Sequence, residues 1–138
     1  MRVDYAFLCD HATGNEKTNA LGIGISLIQS ESLPFDTDFY LVARILVDRS
    51  EYDPNKSIEL VVALIDPDGG ASGMIQGRLR PPKSLLQNQE SVNASVVLHI
   101  ELSIQEYGRH AISIVGDDSE LKRIPFEVKP SLSVTEVV

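Results

Sequence analysis

The chain has 138 residues, of which 43% are hydrophobic and 23% charged, a size and composition that suit one globular domain with its own core and exclude a wholly disordered polypeptide. A formal net charge of −8 repels phosphate backbones, which disfavours nucleic acid and anionic membranes as principal partners. The single cysteine, Cys9, rules out an internal disulfide scaffold, and no apolar run reaches the roughly 18–20 residues that a membrane-crossing helix needs. Asp4 follows too closely on the start for a secretory signal, so a cytoplasmic location is expected.

In chain order, the sequence reads as short apolar alternations separated by turns. Val3, Tyr5, Phe7 and Cys9 are placed on one face of a first strand, and a polar loop from Asp10 to Glu16 follows. Leu21, Ile23, Ile25 and Leu27 alternate with Gly22 and Gly24, which predicts a strand either closely covered on its glycine face or bent. The run Asp38–Val47 predicts a long strand with faces Phe39, Leu41, Ala43, Ile45, Val47 and Tyr40, Val42, Arg44, Leu46.

Ile58–Ile65 is a further strand, and Asp66-Pro67-Asp68-Gly69-Gly70 predicts the hairpin turn into Ala71–Arg80. A stretch near residues 83–89 reads as at most one helical turn. Val92 to Glu101 alternates as a strand, and a last hairpin turns at Gly116-Asp117-Asp118-Ser119. Its closing strand carries Ile124, Phe126 and Val128, with Pro125 predicting an edge or a bulge. The expected fold is all-β, an antiparallel Ig-like or transthyretin-like sandwich of about seven to nine strands. Residues 1–130 form its single domain, and residues 131–138 form a tail.

Three segments together carry a resemblance: Tyr5-Ala6-Phe7-Leu8-Cys9-Asp10-His11-Ala12 with the Gly-rich segment after it, Leu64-Ile65-Asp66-Pro67-Asp68-Gly69, and Gly108-Arg109-His110-Ala111-Ile112 with Ile124-Pro125-Phe126-Glu127-Val128. Over most of residues 2–130 the chain resembles a bacterial family of small Ig-like β-sandwich proteins that is itself uncharacterised. The resemblance implies the fold and brings no catalytic motif.

Candidate chemistry is sparse. Cys9 and His11 are two apart on a strand, about 6–7 Å at roughly 3.3 Å per residue, which is too far for direct proton transfer. Cys9 therefore reads as a small buried hydrophobe, and no enzyme is expected. If successive strands reverse, Asp36, Asp38, Asp66 and Asp68 gather at one end of the sandwich with Glu106, offering oxygens to calcium, although Asp beside Gly or Pro is also ordinary turn chemistry. Gln76, Arg78 and Arg80 share a face that reads as solvated.

The apolar residues on both faces of the two central strands require a second cover, supplied either by a loop of this chain or by a partner subunit. Tyr40, Val42, Leu46, Val61 and Ile65 are the interface candidates, and Val134 joins them because the tail alternates like a strand that could add to an edge. The leading expectation is a non-enzymatic interaction or accessory module, acting on a protein partner or as a homo-oligomer. The alternative is a ligand- or calcium-binding sandwich.

Overall fold

A computed structural model describes residues 1–14, 17–79 and 90–131. It contains ten strands, and no helix occurs among the described residues: β1 (Arg2–Cys9), β2 (His11–Gly14), β3 (Thr18–Leu21), β4 (Leu27–Ser30), β5 (Phe35–Asp48), β6 (Ile58–Ile65), β7 (Ala71–Leu79), β8 (Ser91–Ile104), β9 (Gly108–Gly116) and β10 (Ser119–Pro130). One sheet has the order β1-β5-β8, the second β4-β10-β9-β6-β7, and β2-β3 is a separate hairpin. The pairing is antiparallel throughout except between β4 and β10, which run parallel.

The alternation read in the sequence puts one row of each strand between the two large sheets. Phe39, Leu41, Ala43 and Ile45 from β5 meet Leu60, Val62 and Leu64 from β6 and Ile112 and Ile114 from β9 in one buried cluster. Phe126 of β10 joins the sheets. Its ring meets Phe39 edge-on at 5.8 Å and stacks on His110 at 5.5 Å, geometries that aromatic pairs prefer. The buried His110 imidazole bonds the Gly108 carbonyl through Nδ1 at 3.0 Å, so it needs no ligand to satisfy that nitrogen.

One sequence expectation is corrected, and two are decided between the alternatives they left open. The register of β1 shifts between Val3 and Tyr5. A shift of one residue exchanges faces, so Val3, Ala6 and Leu8 pack on the main core while Phe7 and Cys9 face outward. The strand expected through Leu21–Leu27 is two short strands, because Gly22 and Gly24 take φ of +69° and +93° and bend the chain away. Pro125 sits at no bulge; the shift in β10 falls between Glu120 and Lys122. Proline is accommodated because the β4 pairing begins only at Glu127, leaving Pro125 with a neighbouring strand on one side. The turn expected near residues 83–89 lies outside the described residues, as do Arg80 and all of the tail beyond Ser131.

Candidate functional site

The interface candidates divide between two surfaces that face away from each other. Tyr40, Val42 and Leu46 lie on the outer face of the three-stranded sheet, whereas Val61 and Ile65 lie on the outer face of the five-stranded sheet. They cannot form one patch. Val134 lies outside the described residues.

The first surface is covered by this chain. After β1, Asp10 turns the backbone so that the β2-β3 hairpin folds over the sheet it has just left. Cys9, Ala12 and Val42 are buried together, with Phe7, Ala20, Tyr40 and Val97 packed around them. Gly14 allows the close approach, since a Cβ there would stand 2.7 Å from Val97 Cγ2. Val42, at 1% exposure, is therefore corrected from an interface candidate to a residue of a small second core.

Cys9 is fully buried in the same cluster, and its Sγ donates to the His11 carbonyl at 3.5 Å. Burial pushes its thiol above the ordinary range, the backbone hydrogen bond opposes this, and Asp10 adds a smaller upward effect. A raised, inaccessible thiol is a poor nucleophile. The His11 ring turns instead to the edge of Tyr40 at 5.0 Å, and Tyr40 stacks on His99 at 4.6 Å.

The loop carboxylates are brought together only in part. Asp66, Asp68 and Glu106 each present an oxygen within 4.8 Å of the others. Asp36 and Asp38 stay apart from that trio, because β5 already begins at Phe35 and holds both as exposed strand residues. Asp38 Oδ2 lies 2.8 Å from His99 Nε2. In the trio, Asp68 Oδ1 accepts from Gly70 N at 2.9 Å and Asp66 Oδ1 from Ser72 Oγ at 2.8 Å. Those bonds build the β6-β7 turn.

The second surface is open. Strand register lays its residues out in rows across the five-stranded sheet: Gln76, Val61, Val115, Glu120; then Met74, Ala63, Ser113, Arg123; then Ala71, Ile65, Ala111, Pro125. No strand among the described residues packs over it. Ala63, Ala111 and Ser113 form a low floor that is buried beneath its taller neighbours, and Met74 stands 64% exposed at one side.

At the end of the floor is a cavity of about 450 Å³ lined in part by Ile65, Pro67, Arg109, Arg123 and Pro125. Ser113 Oγ donates to Glu120 Oε2 at 2.6 Å, and Arg123 Nη2 to the same oxygen at 2.9 Å. Arg123 first, and Ser113 second, hold the Glu120 carboxyl below the usual carboxylate range. Alternation in β9 could have revealed this floor: Arg109, Ala111, Ser113 and Val115 share a face, but two small residues and a serine carry little hydrophobic signal.

A family model matches residues 4–129. The chain belongs to DUF6941, a family of unknown function. No curated protein matches it. Among solved structures, it is similar to an alkylpurine DNA glycosylase of Pseudomonas fluorescens bound to DNA containing an abasic site analogue, with TM-score 0.39 and 11% identity, covering 90% of this chain but 30% of that one. It is also similar to an immunoglobulin-like protein of Pseudomonas aeruginosa, with TM-score 0.37 and 13% identity, covering 92% of this chain and 94% of that one.

Proposed function

We propose that this DUF6941 protein is a non-enzymatic β-sandwich that works by protein contact through the open face of its five-stranded sheet. The observation supporting this reading is the exposed Met74 beside the half-buried Val61 and Ile65, above a buried floor of Ala63 and Ala111. A sheet face facing water ordinarily alternates to polar residues. This one has an apolar centre and a rim of Arg78, Arg109, Arg123, Glu59, Glu120 and Glu127, the layout of a protein interface. The rim carries both signs, in a chain whose net charge is −8. The test is affinity capture from host lysate with wild type and with the Val61→Glu/Ile65→Glu variant, after circular dichroism shows that both are folded. Partners held by wild type and lost by the variant support the reading; identical recovery by both overturns it.

A second reading is calcium binding, favoured by the convergence of Asp66, Asp68 and Glu106. Calorimetric titration with calcium, repeated on Glu106→Gln, decides it. Heat that disappears with the variant supports a site, and no heat at millimolar calcium removes it.

A further inference from the structure

We propose that the outer edge of β7 pairs antiparallel with β7 of a second copy, about a two-fold axis at Ile75, joining two five-stranded sheets into one of ten. The inference goes beyond the open face, because it concerns the edge and would stand if that face bound nothing.

Each sheet ends in two outer strands, and an unpaired edge is a template for another chain unless something blunts it. β4 has only four residues. β1 carries Asp4 and an irregular register. β8 carries Glu101, and the β2-β3 hairpin leans on it at Val97. Apart from a register shift against β6 at Ser72, near its start, β7 has none of these devices. Its nine residues contain no proline, no lysine and no acid, nearly all are exposed, and among the described residues nothing pairs with its outer side.

Charge is compatible with the same strand, and of the two acid-free edges of this sheet, β4 and β7, only β7 is long. Two copies of a chain with net charge −8 repel, so an approach along an acid-free edge is the least costly. The strand is also self-complementary. Ile75 is the midpoint of Ala71–Leu79, so the register centred on it pairs the regular stretch Gly73–Gly77 of both strands and leaves the irregularity at Ser72 near the ends of the ladder. Ile75 then faces Ile75 of the second copy, Gly73 faces Gly77, Met74 faces Gln76, and the only charge, Arg78, faces Ser72. Apolar pairs across strands stabilise such a ladder and like charges opposite one another destabilise it. This register has the first and avoids the second. It covers part of the exposed surface of Met74 and Ile75, 64% and 38% exposed in the single chain. Because the axis stands perpendicular to the sheet, the two open faces lie side by side on one surface.

Light scattering on the eluting full-length chain at about 50 µM should give twice the 15.2 kDa of one chain. Ile75→Lys and Ile75→Glu should each halve that mass, and an equimolar mixture of the two should restore it, since opposite charges then meet at the axis. Ile75→Cys, a milder change that also reports if the charged variants fail to fold, should form a covalent dimer on oxidation in the native state. A monomeric wild type, unchanged mass in the charged variants, or no cross-link by Ile75→Cys would overturn the proposal. The face variant Val61→Glu/Ile65→Glu should remain dimeric, so loss of partner capture and loss of pairing are separate results.

Discussion

Asp10 Oδ2 occupies the place where a side chain at residue 22 would begin: a Cβ on Gly22 would stand 2.1 Å from it. Asp10 N also donates to the Leu21 carbonyl at 3.0 Å. One carboxylate and one glycine thus form the corner that returns the β2-β3 hairpin onto its own sheet. Gly22→Ala combines a left-handed backbone, about 1–2 kcal/mol for an L-residue, with a clash that displaces Asp10. Gly24→Ala has the positive φ and open space around it. Urea melts should show Gly22→Ala losing more stability than Gly24→Ala, and Asp10→Gly should recover part of that difference.

Val42 and Leu46 should respond differently to charge. A carboxylate at position 42 would be buried against Cys9 and Ala12, and an unpaired buried ion costs several kcal/mol, so Val42→Glu should lose about 3 kcal/mol or more. Leu46 is half-buried, and Leu46→Glu should cost clearly less. Equal losses in chemical denaturation would contradict a hairpin cover confined to the Val42 end.

The Cys9 thiol should ignore a water-soluble alkylating reagent in the native protein and react once urea opens the hairpin. Mass spectrometry of native and unfolded samples reads this directly. Rapid native modification would mean that the hairpin does not close over it.

Glu120 gives an acid-side dependence with a defined sign. Its folded carboxyl is held below the ordinary value of 4.5, so its contribution is present above about that pH and is lost as pH falls through the lower folded value. The Glu120 and Arg123 side chains are 41% and 51% exposed, and solvent screening keeps the effect small. Glu120→Gln should be less stable than wild type at pH 7, with the gap closing on acidification. A gap that is constant with pH would reject the assignment.

Phe126→Ala should be the most damaging of these changes, about 3–5 kcal/mol, because the ring fills the contact between Phe39 and His110. Its melting midpoint should fall well below that of Ser113→Ala, which removes one hydroxyl donor worth about 1 kcal/mol.

The all-β class, a long two-faced strand over Asp38–Val47, the Asp66–Gly70 turn and the closing hairpin were legible in the residues, because period-two alternation and turn chemistry are local properties. The sequence also showed that Val42 and Val61 needed cover. The fold supplies that cover to Val42, through the β2-β3 hairpin, and among the described residues no strand packs over Val61. A one-residue shift in β1 moves Cys9 from the main core to the hairpin side, and two glycines with positive φ send that hairpin over Val42 rather than over Val61. Neither effect leaves a trace in hydrophobic pattern, since a bulge and a backbone bend change direction without changing composition. The same holds for the floor of Ala63, Ala111 and Ser113, which becomes one surface only when register aligns three strands distant in sequence.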